Sequence, residues 1–541
     1  MSDSRRGALT LVATILGSTI VFLDATVVNV ALPAISDDLD AGLADQQWVV
    51  EAYLLALVAL LLVGGSLGDQ FGRRRIFLIG LVGFGITSAL CAIAPNSELL
   101  IAARAAQGLA GALLVPGSLA ILAATFEGPA RGKAVGTWTA WSGIATVIGP
   151  AGGGALIEAL SWRSIFWVNV PIIVVTIALT LHAVEESSDP EADRAIDWTG
   201  ILLSAAGLGG PVFALIEQPT HGWGDPLVYV PLVAGVLLFA AFLVWEARSR
   251  HPMLDLALFR IRNFLVTNIE TLLVYAGLYG AFFFITLFLQ ESVGYSPLEA
   301  GLATTPISVM LFVLSPRFGR IATDTGPRVP MSIGPIVGGV GLLLLMRVDA
   351  DASYLTDVLP GLVVFGLGLS ATVAPLTATA LDSVAERHVG IASGINNGVA
   401  RVAGLLAIAV LGAVIAGSFD SRIDERLAGE RLSPAAQVSV ERAKRKPFGA
   451  TNTNRLDPNE AERVDVAATD ASEDSFQLGM ALAGVLMVVG GVIAGIGLRN
   501  PERREAREAP LAATAADCGH CPPAEEEATA GREPAPVGET S

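Results

Sequence analysis

The sequence predicts an all-α polytopic membrane protein, with fourteen transmembrane helices in two six-helix halves, a central two-helix insertion, and both termini cytoplasmic. Three observations predict it. Of 541 residues, 52% are hydrophobic and only 16% charged, against about 25% charged in an ordinary soluble chain. Fourteen apolar runs approach the length of about 20 residues that crosses a bilayer core. The short connections between them alternate between basic and non-basic, the pattern of the positive-inside rule.

In chain order, the first six runs are 8–32, 48–67, 76–93, 99–126, 136–160 and 165–184. A middle pair follows at 198–216 and 227–245, then six more at 264–289, 298–314, 329–346, 358–381, 390–416 and 476–498. The first run follows Arg5 and Arg6 and lacks a small-residue cleavage site ahead of a soluble domain, so it reads as a retained span. With the N-terminus inside, the inner short connections carry Arg73 to Arg75, Arg131, Lys133, Arg194, Arg248, Arg250, Arg260, Arg262, Arg317, Arg320, Arg328 and Arg387. The outer ones carry only Arg163 and Arg347. A missed or extra span would scramble this asymmetry.

The runs divide the chain into an N-terminal bundle (1–185), two inserted helices (186–262), a C-terminal bundle (263–498) and a tail (499–541). Within the C-terminal bundle, 418–475 reads as a long, polar outer loop, too poor in apolar residues to dock on the bundle and expected to be dispensable for basic transport. The tail is rich in Ala, Pro and Glu and reads as disordered.

Composition and motifs exclude several functions. A net charge of −17 argues against nucleic-acid binding. The three cysteines, Cys91, Cys518 and Cys521, imply no disulfide framework, and the tail's Cys-Gly-His-Cys offers too few ligands for a closed zinc site. No G-x-x-x-x-G-K-[ST] loop points to ATP, and no H-E-x-x-H or G-x-S-x-G motif points to an enzyme. No cofactor or metal is implied.

An internal repeat suggests transport. The connection after the second run reads GSLGDQFGRRR (65–75), and the one after the tenth reads GRIATDTGPR (319–328). Aligning Gly319 with Gly65 superposes Gly326 on Gly72, while Thr323 stands where the first copy has Asp69. Many transporter folds are built from such repeats, with the site near the midplane at their interface. Paired halves argue for a rocking carrier rather than a channel. Asp69, with Gly65, Gly72 and Arg73 around it, stands at a helix C-terminus, where a carboxylate calls for a cationic partner or another helix's N-terminus nearby.

GSLGDQFGRRR resembles the signature loop of the major facilitator superfamily, and LIAARAAQGLAGA (100–112) resembles that superfamily's helix 4 motif. GIATVIGPAGGG (143–154) resembles the helix 5 motif of its drug antiporters. FLDATVVNVALP (22–33), WRSIFWVNVP (162–171), PMLDLALFRIRNF (252–264) and GIASGINNGVARVAG (390–404) resemble the fourteen-span drug:proton antiporter branch, of multidrug efflux type. The resemblance implies an interdomain latch at Asp69. It also implies a bend at Gly149, Pro150 and Gly153 that packs against the opposite half and limits leakage. The degenerate second loop and the 418–475 segment depart from the pattern.

Buried charges locate the coupling site. At ~1.5 Å per residue, Asp24 lies about 13 Å inward of Pro33, Arg104 about 8 Å inward of Leu99 and Glu51 about 6 Å inward of Gln47. An intramembrane carboxylate costs roughly 2.5–3.5 kcal/mol on the translocon scale, so such residues pair or face a cavity. Asp24 is the expected proton carrier, with Arg104 as its modulator. Glu51 is grouped with them for proton coupling, as the nearest candidate to carry a second proton, and reads either as a solvated rim residue or as a second site for cationic substrates. Glu270 and Arg401 are further candidate cavity charges whose meeting the sequence leaves open, and Phe282, Phe283, Phe284 and Phe288 line either a cavity or a packing surface. The expected function is proton-coupled efflux of amphipathic, drug-like small molecules across the cytoplasmic membrane. The alternative is dedicated export of one natural product, lipid or siderophore.

Overall fold

The computed structural model describes residues 3–188, 197–249, 253–385 and 388–500. Arg194, Arg250, Arg387, Pro252 and the Cys518 and Cys521 pair lie outside the described residues, as does the tail beyond Asn500. The described residues form helices and turns without strands. Among the described residues, thirteen helices are long and apolar enough to cross a membrane, and a bent pair supplies a fourteenth when counted as one span.

The N-terminal half contains α1 (Asp3–Leu39), α2 (Leu43–Phe71), α3 (Arg73–Ala92), α4 (Ser97–Thr125), α5 (Gly128–Ala159), α6 (Ser164–Trp167) and α7 (Asn169–Ala183). Helix α5 is bent by 41° between Ala130–Ala145 and Ile148–Ala159, where the ring of Pro150 removes an intrahelical hydrogen bond and crowds the carbonyl four residues earlier. The inserted pair is α8 (Trp198–His221) and α9 (Pro226–Arg248). The C-terminal half contains α10 (Arg262–Glu291), α11 (Pro297–Ala303), α12 (Thr305–Thr325), α13 (Arg328–Leu344), α14 (Leu359–Asp382), α15 (Val389–Arg426), α16 (Pro434–Arg445) and α17 (Pro458–Gly497). Local chemistry sets the helix ends. Asn96 accepts from Leu99 N to start α4, and a reciprocal Ser296–Glu299 capping box starts α11. The two halves end their second helices alike, on left-handed Gly72 (φ 102°) and Gly326 (φ 88°), a conformation that a Cβ disfavours.

Several helices extend well past the apolar runs that mark them. Helix α1 does not stop near Leu32 but runs through Pro33 to Leu39. Tertiary bonds hold the polar extension: Ser36 Oγ donates to Ala41 O at 2.7 Å, and Trp162 Nε1 donates to Asp38 at 3.1 Å. Asp24 therefore sits about 22 Å from the helix end at ~1.5 Å per residue, near its middle.

The inserted pair is not peripheral. Helix α8 packs on α9 and also lies along α2 of one half and α15 of the other. Trp48 Nε1 on α2 donates to Glu217 on α8 at 3.1 Å, beside a 5.7 Å ring contact between Trp48 and Phe213.

The 418–475 segment also differs from expectation. It is mostly helical: α15 continues to Arg426, α16 occupies Pro434–Arg445, and α17 begins at Pro458. Phe419, Ile423, Val440, Ala443, Val464 and Ala471 are buried together in a core of its own. Arg422 and Arg426 pair with Asp474 at 2.7 and 2.8 Å, and Lys444 pairs with Asp424 at 2.8 Å. The segment docks through Phe448, whose ring lies 5.6 Å from Phe288 and 6.4 Å from Phe476, themselves stacked at 4.1 Å. Phe283, Phe284 and Phe288 are packing core rather than cavity wall, and Phe282 packs on Phe365. The premise that this segment has nothing to dock with fails, because single apolar residues spaced for helices are invisible to an average of composition. We call it the cap, its side of the bundle the cap face, and the opposite side, which carries both described chain ends, the terminal face.

Truncating a buried Phe costs about 3–5 kcal/mol in a packed core, and Phe448 is 3% exposed. Phe448→Ala is expected to free the cap, so that trypsin cuts at the Arg442–Lys446 cluster at least tenfold faster than in wild type. An unchanged cleavage rate would mean that the cap does not rest on this ring.

Candidate functional site: a buried ion pair in the N-terminal half

Five helices of the N-terminal half converge on Asp24. Its carboxylate is completely buried and ion-paired to Arg104 Nη1, whose side chain is 1% exposed. Two amides complete the shell, with Gln107 Nε2 donating to Asp24 Oδ1 at 3.1 Å and Asn169 Nδ2 donating at 3.2 Å. The guanidinium also donates through Nε to Val49 O at 3.0 Å and through Nη1 to Gln107 Oε1 at 2.6 Å. It lies 4.2 Å from the Tyr53 ring centroid, a cation–π contact. Ser88 Oγ accepts from Gln107 Nε2 at 2.9 Å, bringing α3 into the network.

The energetics follow from burial. Desolvating two ions costs several kcal/mol each, repaid only when the remaining donors and acceptors are met. The two amides and the Val49 carbonyl meet most of that requirement here. Neutralising one partner strands the other, a change of about 3–5 kcal/mol. The pair and its partners thus tie α1, α2, α4 and α7 together at one point.

The pairing of Asp24 with Arg104 matches the sequence expectation, but Gln107, Asn169, Ser88 and Tyr53 were missed. Gln107 lies one turn from Arg104 on the same helix face, and Asn169 is an uncharged polar residue beside an apolar run. Both signals were available in motifs already singled out.

Glu51 does not join this network. It is fully buried, so the rim reading is overturned, and neither carboxylate oxygen has a hydrogen-bond partner. Burial comes from α8 and α15 packing along this stretch of α2, which no property of residues 48–67 announces. Glu270 is likewise fully buried with both oxygens unpartnered, so it and Arg401 do not meet. Arg401 is half-buried on α15, within electrostatic reach of Tyr53. An unmet buried carboxylate is costly, and a proton or a cationic group relieves it.

The motif residues divide between the two faces. Bonds joining the halves cluster toward the cap face: Gln47 Nε2 donates to Ile408 O at 2.7 Å, Gln290 Nε2 to Val30 O at 3.2 Å, and Lys446 Nζ to Ser36 O at 3.3 Å. Helix α5 contributes at two levels. A Cβ on Gly149 or Gly153 would strike Thr26 or Val27 of α1, within the same half. Contact with the opposite half falls instead to Gly154, against Pro297 O of α11, and to the carbonyl of Pro150, against Gly301. The helix 5 glycines therefore clamp α5 onto the helix that carries Asp24.

At the terminal face the signature loop makes local bonds. Asp69 accepts from Arg73 Nε at 2.7 Å, one turn away, and Glu186 accepts from Arg74 N and Arg75 N at 3.1 Å. Gly65 faces Pro116 at ordinary contact distance, whereas Gly72 is held both by its positive φ and by the Glu186 carboxylate pressed against it. The described conformation is thus joined across the halves at the cap face.

Residues 14–409 match the family model of the Major Facilitator Superfamily. The chain is 38% identical, over 80% of both chains, to the multidrug resistance protein Stp of Mycobacterium tuberculosis. It is 32% identical to the tetracenomycin C resistance and export protein of Streptomyces glaucescens, over 94% of this chain and 95% of that one. Its fold is similar to the crystal structure of a bacterial homologue of the human lysosomal transporter Spinster, with a TM-score of 0.64 at 16% identity, covering 91% of this chain and 97% of that one. With its many membrane-spanning helices, the chain belongs to the major facilitator superfamily and is a multi-pass membrane transporter rather than an enzyme.

Proposed function

We propose that this protein exports amphipathic, drug-like small molecules across the cytoplasmic membrane in exchange for protons, by alternating access, with both termini cytoplasmic and no ATP consumed. The observation that carries the reading is the fully buried Asp24–Arg104 pair, closed by Gln107 and Asn169. Its relatives include a multidrug resistance protein and a resistance and export protein, which supports export. A second reading, export of a single natural product, is favoured by the tetracenomycin relative, whose similarity extends over more of the chain.

The mechanism follows from the geometry. Asp24 is sealed in the described conformation, so a proton reaches it only when the halves move. Protonation cancels its attraction for Arg104 and converts the carboxylate from a pure acceptor to a partial donor. The helices bearing the two groups, α1 and α4, are then free to shift against each other. Helix α1 is clamped to α5 through Gly149 and Gly153, and α5 abuts the opposite half through Gly154. A local change at Asp24 therefore has a packed route to the interface between the halves. Glu51 and Glu270 are candidates for a second titrating site.

One proton entering supplies about 1.4 kcal/mol per pH unit and about 2.3 kcal/mol per 100 mV when net charge moves. Together these support accumulation of a neutral substrate by a few hundred-fold, since about 1.4 kcal/mol is tenfold. Asp24→Asn retains shape and hydrogen-bonding capacity but cannot ionise. In vesicles with an imposed pH gradient it is expected to bind substrate yet accumulate it no further than passive equilibrium, with Glu51→Gln measured alongside to test for a second proton. Full gradient-driven accumulation by Asp24→Asn would reduce the pair to a structural role.

The signature loop generates a separate expectation. A surface i,i+4 ion pair such as Asp69–Arg73 stabilises a protein by only about 0.3–0.5 kcal/mol. Asp69→Ala should therefore leave membrane abundance unchanged. If Asp69 instead latches the terminal face in the opposite conformation, transport rate falls at least tenfold, as read from initial efflux rates normalised to protein. A wild-type rate would leave the loop as a topology signal alone.

A further inference from the structure

The coupling network makes no use of Arg401. This residue stands twelve positions into α15, about 18 Å from the terminal-face end at ~1.5 Å per residue. An arginine at that depth is costly unless it pairs or faces a water-filled cavity. Arg401 forms no ion pair or hydrogen bond among the described residues. Asp24 is taken by Arg104, and the carboxylate oxygens of Glu51 and Glu270 have no partner at all. Yet Arg401 is half-buried rather than sealed, so its charge is open to a ligand.

Helix periodicity shows which way it faces. Ile408 and Gly412, seven and eleven residues on, share its side of α15. That side meets the N-terminal half near the cap face. Gln47 Nε2 of α2 donates to Ile408 O at 2.7 Å and fills the space that a Cβ on Gly412 would need. On α10, Tyr275 and Tyr279 share a side with Gln290, which donates to Val30 O of α1. Both stripes therefore face the opposite half and are bonded to it near the cap face. Toward mid-membrane they open: Tyr279 is 36% exposed, although it lies twelve residues inside the cap-face end of α10.

The two stripes come together below the cap-face bonds. The Tyr279 ring lies 2.8 Å from the point where a Cβ on Gly404 would stand, one turn from Arg401 on α15. The Tyr275 and Tyr279 rings are 6.0 Å apart. Neither phenol hydroxyl hydrogen-bonds a protein group among the described residues. Across the interface, Tyr53 of α2 lies within electrostatic reach of Arg401. Arg401 supplies a planar fork of donors and no acceptor, which suits a carboxylate or phenolate oxygen. The tyrosines add two further donors and two ring faces on which an aromatic body stacks. A neutral or cationic lipophile would leave the guanidinium unmet.

We propose that Arg401, Tyr275 and Tyr279 are specificity-determining residues that select aromatic compounds carrying a carboxylate or phenolate. The acidic group rests on Arg401 and the ring system lies against the two tyrosines, in the interface between the halves. The inference rests on the export reading, whose substrate class it narrows, but its binding test does not depend on transport. Tyr53 also lies 4.2 Å from the Arg104 guanidinium, so the bound anion sits beside the proton site without joining its hydrogen bonds. A lipid phosphate would meet Arg401 but not the rings.

The test uses the full chain in nanodiscs of zwitterionic lipid, with radiolabelled 1-naphthoate as the acid and 1-naphthamide as its uncharged counterpart. Wild type is expected to bind the acid saturably and at least tenfold more tightly than the amide. Because Arg401 has no protein partner to strand, Arg401→Gln should keep the wild-type unfolding temperature. It should weaken naphthoate at least tenfold and leave the amide unchanged. Tyr279→Leu removes a ring face and should weaken both compounds at least fivefold. Phosphatidylglycerol added to the disc should not compete. The proposal is overturned if wild type shows no preference for the acid, if Arg401→Gln keeps that preference, or if Tyr279→Leu binds both compounds like wild type. Competition by phosphatidylglycerol would overturn it too, by giving Arg401 to a lipid head. Failure of the export reading appears separately, as wild-type protein that prefers the acid in nanodiscs but accumulates no substrate in vesicles.

Discussion

The structure turns on a charge pair that cannot reach water. Asp24 and Arg104 are costly to bury singly and are tolerable together only because Gln107, Asn169 and Val49 O satisfy most of what the pair leaves open. Those partners come from five helices, with Ser88 and Tyr53 completing the set. The N-terminal half is thus organised around one electrostatic requirement. Van der Waals packing fills the space around it but does not specify which helices must meet.

From that centre the coupling to motion is mechanical. Helix α1 carries Asp24 and lies so close to α5 that Gly149 and Gly153 admit no Cβ. The same helix α5 touches α11 of the opposite half through Gly154 and the Pro150 carbonyl. Packed interfaces shift between discrete arrangements rather than deforming smoothly, which is why the proposed exchange cycle treats a change in charge at Asp24 as a choice between two packings. In the described arrangement the cap face is joined by Gln47, Gln290 and Lys446, while Asp69 of the signature loop pairs with Arg73 one turn away.

Two parts lie outside a simple pair of six-helix halves, and both sit across their interface. The inserted α8 runs along α2 and α15, the edges of the two halves. The cap belongs to the C-terminal half by sequence, yet its Lys446 reaches Ser36 of the N-terminal half. Any rocking of the halves must therefore move against both. This arrangement gives the additions mechanical consequence, which their position in the sequence alone does not suggest.

The sequence by itself determined the membrane class, the family, the succession of apolar helices and the presence of charged residues within them. These follow from local quantities: hydropathy over ~20 residues, the sign of loop charges, and the high cost of any carboxylate within a span. It also supplied the Asp24–Arg104 partnership, because two opposite charges at similar depth in one half have few other ways to be accommodated. Only the tertiary structure decided that α1 continues to Leu39, that Glu51 is buried rather than at a rim, that Glu270 and Arg401 stay apart, and that 418–475 folds into a docked cap. Each of these depends on contacts between residues far apart in the chain: Trp162 with Asp38, α8 and α15 along α2, Phe448 with Phe288 and Phe476. Burial is a property of the neighbours a residue acquires, and a one-dimensional pattern names the residue without naming those neighbours.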